Sequence, residues 1–276
     1  MNPTAFKDLP RRIASARDLL LECRLCPRDC RANRLADQRG FCGLGGQARW
    51  FREFLYSGEE AELAPTHQVQ FSGCNLRCEY CVVSEWNEQV EAGKLLDIKE
   101  LAAIIRRRQA AGARTLSLLG GEPALNLPGI LELLANLSPE IPVVWNSNFY
   151  FRPVVLELLD GLIDVWLPDY KCGNSLCAKE LLGADDYLEV VRENLLRVGG
   201  VEHLIIRHVI LPGHRECCLE PILEWIAFRL PQARVSLWSA YVPPPGEGSA
   251  PRGYLKAEEY RDAIRLAEKM KIRLVH

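Results

Sequence analysis

The chain carries almost no net charge: 36 acidic side chains stand against 34 basic ones, a formal balance of −2. Without an excess of one sign there is no electrostatic footprint for a nucleic-acid backbone or an anionic bilayer, so neither is an expected partner. Long apolar runs are missing as well. None approaches the ~20 residues that span a bilayer, and the N-terminus lacks the apolar core of a secretion signal. The expected location is the cytoplasm. A third gap is local, since no cysteine occurs between residues 82 and 119.

Elsewhere cysteine is abundant, at 11 of 276 residues. Seven fall into two groups, Cys23, Cys26, Cys30 and Cys42, then Cys74, Cys78 and Cys81. Such clustering points to metal ligation and not to a disulfide framework. Cys172, Cys177, Cys217 and Cys218 lie outside both groups and are expected to behave as small apolar core residues. At 48% hydrophobic residues the chain should be globular, and it is long enough for one large α/β domain with an appendage.

Patterning divides the chain near residue 65. Residues 1–65 read as an N-terminal helix (9–22, with Leu9, Ile13, Ala16 and Leu20 on one face) followed by a cysteine-rich extension and an aromatic extended segment at 50–56. Residues 66–276 read as a core of alternating strands and helices. Strands are expected at 69–71, 115–119, 142–145, 165–167, 204–211, 235–242 and 272–275. Helices are expected after the capping box Asp97-Ile98-Lys99-Glu100, at 127–137, 153–159, 187–198 and 219–230, and in a last segment carrying Ala257, Tyr260, Ile264 and Ala267. Repeated strand–helix alternation implies a parallel sheet with right-handed crossovers, open or curled into a partial barrel. Active residues of either form belong at the carboxyl ends of strands.

The unusual polar and glycine residues cluster at those ends. Cys74-Asn75-Leu76-Arg77-Cys78-Glu79-Tyr80-Cys81 follows the first core strand. Three thiols this close suit a cubane iron–sulfur cluster better than zinc, which usually draws on two separated pairs or on four ligands. Three ligands leave one of four irons without a protein thiolate. Gly120-Gly121-Glu122-Pro123 ends the next strand, Asn146-Ser147-Asn148 the third and Asp169-Tyr170-Lys171 the fourth. The N-terminal quartet has enough ligands to close a site alone, as a second four-iron cluster or as a structural zinc. His67, His203, His214 and His276 carry no ligand pattern. Arg207 and His208 are neighbours on one strand and should face opposite sides.

The spacing Cys-x3-Cys-x2-Cys, with Tyr80 before the last cysteine, resembles the radical S-adenosylmethionine (SAM) superfamily. Together with Cys-x2-Cys-Pro-Arg-x-Cys near the N-terminus, Gly-Gly-Glu-Pro, Asp-x-Lys and the late Pro-Gly turn, it is similar to the uncharacterised branch of pyruvate formate-lyase activating enzyme-like proteins. The resemblance implies a partial (β/α)6 TIM-type barrel and a [4Fe–4S] cluster on Cys74, Cys78 and Cys81. It also implies SAM as cofactor, a reducing partner such as flavodoxin or ferredoxin, and a 5′-deoxyadenosyl radical that abstracts hydrogen from a protein or peptide substrate. Gly120, Gly121 and Glu122 would then meet the methionine ammonium and Lys171 its carboxylate. Asp169 would help to hold a monovalent cation, Asn146, Ser147 and Asn148 would line the ribose or that cation, and Arg207 would face the cofactor beside Tyr80. Two other readings stand beside this one: a radical SAM enzyme with a small-molecule substrate, and a non-catalytic iron–sulfur electron-transfer module. The chain departs from the pattern in two places, in lacking ferredoxin-like cysteines between 82 and 119 and in carrying Val82-Val83 where Gln-Asn is common.

Overall fold

The computed structural model describes residues 3–137 and 141–275, with side chains from residue 5. His276 lies outside the described residues. The chain forms two compact units, one of Met1–Asn75, Val83–Ser147 and Phe151–Val165, the other of Leu76–Val82, Asn148–Tyr150 and Trp166–His276. Among the described residues no helix is long and apolar enough to cross a membrane.

The first unit opens with helices α1 (Pro3–Lys7) and α2 (Leu9–Asp18). Leu9, Ala16 and Leu20 are buried, as the apolar stripe requires. The helix stops four residues short of the expected end because Leu20 and Leu21 donate to the carbonyls of Arg17 and Asp18, tightening the last turn. Strands β1 (Arg49–Tyr56) and β2 (Thr66–Phe71) are followed by α3 (Ser84–Glu88), β3 (Lys94–Leu95) and α4 (Ile98–Ala110). Asp97 caps α4, accepting from Lys99 N and Glu100 N at 2.9 and 3.0 Å. Then come β4 (Thr115–Gly120), α5 (Leu127–Ala135), β5 (Val143–Ser147) and α6 (Val154–Leu159).

Strand order in this unit is β3-β1-β2-β4-β5. β2, β4 and β5 run parallel, while β1 is antiparallel to β2. The expected all-parallel sheet thus gains an antiparallel margin, because residues 57–65 are too few for a crossover helix. All six residues of β2 and all five of β5 are buried, as in a sheet covered on both faces. His67 is held within the fold by Glu53, Nε2 to Oε2 at 2.8 Å, and Arg108 clamps the same carboxylate.

β6 (Val165–Pro168) leads into the second unit, followed by α7 (Ser175–Leu182), α8 (Tyr187–Val198) and β7 (Ile205–Val209). A single π-helical turn (Arg215–Leu219) precedes α9 (Glu220–Arg229), and β8 (Arg234–Trp238), α10 (Ala257–Lys269) and β9 (Arg273–Val275) complete the chain. β7, β8 and β9 pair in parallel, and bridges Trp166–Leu204 and Asp169–Arg207 set the end of β6 beside β7. β7 and β8 are shorter than their apolar runs, ending before Pro212 and Pro243, which cannot donate to a ladder. α7, which the apolar pattern did not mark, is capped by Asn174, whose side chain accepts from Cys177 N at 2.8 Å. Along the chain β2, β4, β5, β6, β7 and β8 are each followed by helix, the six-fold strand–helix alternation read from the sequence.

Candidate active site

β2 ends at Phe71 and passes through Ser72 and Gly73 into the cysteine loop. Gly121 N donates to Phe71 O and Glu122 N to Gly73 O, both at 2.8 Å. The end of β4 therefore lies backbone to backbone on the start of that loop. A Cβ on Gly120 would strike the Phe71 backbone, and one on Gly121 would strike Gly73 O. Gly120 also holds φ +126°, which side chains with a Cβ rarely adopt. Here the glycine pair serves close packing of the two strand ends.

Glu122 is fully buried, and its Oε1 accepts from Ala124 N at 3.1 Å and from Ser147 Oγ at 2.8 Å. The sequence did not reveal this link between the ends of β4 and β5. Asn126, also not anticipated, donates to Ser72 O at 3.0 Å and accepts from Arg49 N at 3.0 Å, bracing the same turn. Cys74, Asn146 and Ser147 are buried in this unit, as is Asn148 in the other, where its Oδ1 accepts from Tyr150 N at 2.8 Å.

In the second unit the loop that carries Cys78 and Cys81 is seated on the carboxyl end of α7. Arg77 N and Glu79 N each donate at 2.9 Å, to Leu182 O and Leu181 O respectively. Glu79 Oε2 accepts from Ala250 N at 2.7 Å, tying the loop to the proline-rich segment after β8. Burial pushes the Cys78 thiol up to about 12; Lys171 opposes the rise, while Cys81 and Asp169 add to it. Lys171 Nζ pairs with Asp169 Oδ2 at 2.7 Å. Tyr187, fully buried, donates its hydroxyl to Asp169 O and accepts from Lys171 N, both at 2.9 Å, so one phenol sets the backbone of the Asp-x-Lys segment. Tyr80 lies 5.9 Å, ring to ring, from Tyr241; burial raises its phenol well above the ordinary value, and Cys78, Cys172, Tyr187 and Asp169 add to that.

Arg207 is buried with its guanidinium carbon 4.1 Å from the centre of the Trp238 ring. His208 is buried too, its Nδ1 2.8 Å from Tyr170 O, and burial lowers its imidazole to about 4. Both neighbours are enclosed because each face of this strand is covered. Val82, next to Cys81, is 74% exposed.

The N-terminal quartet lies in the first unit. Cys23, Cys26, Cys30 and Cys42 line one small cavity with Arg34, Phe41 and Asn75. Asp29 and Arg31 take left-handed conformations on either side of Cys30 (φ 44° and 52°), and Gly40 leaves room for it: a Cβ there would lie 2.7 Å from Cys30 Sγ. Phe41 N donates to Cys30 Sγ at 3.2 Å. Burial pushes Cys26 up to about 12, an effect the Arg28 N–H and the Asn75 side chain oppose. Burial also raises Cys42, against the pull of Arg34. Arg34 is buried with Nε on Gly45 O at 2.9 Å and an Nη on Leu125 O at 3.0 Å. The buried Arg34 guanidinium offsets the negative charge that these thiols carry once deprotonated.

The sequence profile of the radical SAM superfamily matches residues 69–226, more than half of the chain. The chain belongs to the radical SAM superfamily. This radical SAM protein is 34% identical over 275 residues to an uncharacterised protein of Methanocaldococcus jannaschii, across 96% of this chain and 80% of that one. The 7-carboxy-7-deazaguanine synthase of Clostridium acetobutylicum is 40% identical over 70 residues, 25% of this chain and 30% of the relative. Among solved structures, Streptococcus suis SuiB bound to the precursor peptide SuiA gives a TM-score of 0.54 at 18% identity, over 73% of this chain and 46% of that one. A radical SAM methyltransferase from Sphaerobacter thermophilus gives 0.53 at 15% identity, over 84% and 77%. The chain spans less than half of SuiB, and at these identities the likeness is one of fold. That fold is the α/β architecture expected from the sequence.

Membership implies a [4Fe–4S] cluster and SAM. The residues fit that group. Three of the free thiols follow β2 at the superfamily spacing, and the cation Lys171 acts on Cys78. Of the four remaining cysteines, Cys172 is a buried small residue as expected, packed near Cys218. Cys177 and Cys218 are buried as expected and Cys217 is half-buried, and with His214 the three bring ligand atoms within 4.8 Å of one another.

Proposed function

We propose that this radical SAM enzyme abstracts hydrogen from a protein or peptide substrate, in the manner of the glycyl-radical activases. The observation that carries the reading is the Lys171–Asp169 pair, acting on the half-buried Cys78 thiol and held in place by Tyr187. Bound cluster and SAM supply the radical chemistry, by reductive cleavage to methionine and a 5′-deoxyadenosyl radical. The chain's own groups hold the pieces. Cys74, Cys78 and Cys81 ligate the cluster. Lys171 neutralises the amino-acid carboxylate, and Gly120, Gly121 and Glu122 flank the ammonium. Asp169 helps to hold a monovalent cation, Asn146 to Asn148 line the ribose or the cation, and Tyr80 and Arg207 bound the cofactor. Residues 1–65 form a metal-binding extension to a core at 66–276, and Cys23, Cys26, Cys30 and Cys42 hold a second cluster or a zinc. Flavodoxin or ferredoxin in the cytoplasm delivers the electron. A peptide substrate is also supported by the shared fold of SuiB, whose structure holds a precursor peptide.

A small-molecule substrate is the second reading, supported by the local likeness to 7-carboxy-7-deazaguanine synthase. One experiment separates the two. The anaerobically reconstituted enzyme, with dithionite and SAM, is given the macromolecular or the small-molecule fraction of a deuterium-labelled lysate. Deuterium in 5′-deoxyadenosine from the macromolecular fraction alone is the expected outcome. Label arising only from the small-molecule fraction would overturn the protein-substrate reading, and no 5′-deoxyadenosine at all would overturn radical chemistry.

A further inference from the structure

Among the described residues, one group of His, Cys, Asp and Glu places its ligand atoms together within 4.8 Å: Cys177, His214, Cys217 and Cys218. All four belong to the second unit. They come from two places in the chain, the first turns of α7 and the turn that follows β7. His214 Nδ1 lies 3.8 Å from Cys177 Sγ, 3.3 Å from Cys217 Sγ and 3.9 Å from Cys218 Sγ. Nitrogen and sulfur on a shared tetrahedral zinc, with bonds of ~2.05 and ~2.3 Å, stand about 3.6 Å apart. The imidazole is therefore at first-contact distance from all three thiols at once. The thiols of a cubane cluster, by contrast, sit on separate irons and must stand farther apart than ligands of a single ion.

The surroundings are built for these groups. A single π-helical turn at Arg215–Leu219 interrupts the approach to α9, and this turn carries both Cys217 and Cys218. Asn174 Nδ2 donates to Cys177 Sγ at 3.1 Å and to Cys217 O at 2.6 Å, while its Oδ1 accepts from Cys177 N at 2.8 Å. One amide thus orients a thiol from α7 and the backbone of the facing turn, as outer partners of metal ligands do. Gly173 lets the two segments meet, since a Cβ there would collide with the Cys218 backbone. Cys177 and Cys218 are buried, and Cys217 and His214 are half-buried, which leaves an ion a route in.

We propose that Cys177, His214, Cys217 and Cys218 form a structural zinc site, closed by four protein ligands, that staples α7 to the turn after β7. It is distinct from the cysteine loop and from the N-terminal quartet, and it does no redox chemistry. Its position gives it a purpose. The carbonyls of Leu181 and Leu182 at the other end of α7 receive Glu79 N and Arg77 N, so fixing α7 fixes the seat of the loop that carries Cys78 and Cys81. Binding exchanges the three thiol protons for the ion, with no oxidation or reduction.

The test uses the full chain, stripped with chelator under anaerobic conditions and titrated with zinc or with cobalt(II) alone. Thiol alkylation followed by peptide mass mapping reads each cysteine separately, so ions bound by the other two groups do not confuse the result. Zinc should protect Cys177, Cys217 and Cys218 together, at one common concentration. Cobalt should give the strong d–d bands of a tetrahedral thiolate site. His214→Ala should weaken that protection at least about tenfold, while His214→Cys restores it with a shifted cobalt spectrum, a rescue that a merely structural histidine would not give. Should a variant fail to fold, protection in the unaltered chain still decides. Alkylation of these three cysteines at equal rates with and without zinc would overturn the proposal, as would protection by zinc that His214→Ala leaves unchanged.

Discussion

Lys171 is the side chain proposed to meet the SAM carboxylate. Its Nζ already holds a carboxylate, Asp169 Oδ2 at 2.7 Å, and both side chains are about one-fifth exposed. A charge-assisted hydrogen bond from this ammonium to the SAM carboxylate would be worth roughly 1.5–3 kcal/mol, or about one to two decades in affinity. Lys171→Met keeps the stem and removes the charge. In isothermal titration of the anaerobically reconstituted protein, SAM affinity should fall about 10- to 100-fold with iron content unchanged. Equal affinities would leave Lys171 as no more than the partner of Asp169, and Arg207 would become the next residue to test.

Elements meet in this protein through backbone contact, and the end of β4 is where that is most demanding. Gly120 combines φ +126° with a backbone neighbour that leaves no room for a Cβ. Gly112, in the turn after α4, has φ +101° but nothing within 4 Å of the corresponding position. The two glycines separate strain from collision. Gly112→Ala should lose only the conformational part, about 1–3 kcal/mol. Gly120→Ala should lose the same plus the cost of pushing β4 off Phe71, so its urea midpoint should fall distinctly further. If the two substitutions cost the same, the close approach of β4 to the cysteine loop is not a constraint on stability.

Across the whole molecule, the candidate metal ligands are distributed over separate pieces of chain, and the proposed reading predicts independent loading. The N-terminal quartet lines its own cavity with Arg34 and Asn75, and Arg34 is anchored on Gly45 O and Leu125 O. Replacing Cys74, Cys78 and Cys81 together with alanine should abolish 5′-deoxyadenosine formation. Metal analysis of the same variant should still find the iron of a full second cluster or, with the zinc proposed for Cys177, His214, Cys217 and Cys218 counted, about two zinc ions, and alkylation mapping should show the quartet protected. Residual SAM cleavage would remove the cysteine loop from the chemistry. A folded variant without metal at the quartet would reduce Cys23, Cys26, Cys30 and Cys42 to ordinary thiols.

What the sequence determined by itself is whatever rests on short spacing and local pattern. Cys74, Cys78 and Cys81 lie within eight residues, so their relation to one another is set by the chain, and the strand–helix alternation follows from apolar periodicity. The Asp97 cap was legible for the same reason: its partners are two and three residues away. Groups joined only by folding were not legible. Glu122 meets Ser147, Tyr187 spans Asp169 and Lys171, and Arg34 reaches Leu125, each pairing residues that no spacing rule connects. The Cys177, His214, Cys217 and Cys218 group belongs with these. Read along the chain, Cys177 is a lone thiol on a short helix and Cys217-Cys218 an adjacent pair with no spacing motif. A crossover that returns the chain from α7 through α8 and β7, and the π turn that follows, bring their sulfurs to one imidazole. Ligand sets of that kind are decided by tertiary structure, because a metal responds to distance in space and not to separation in sequence.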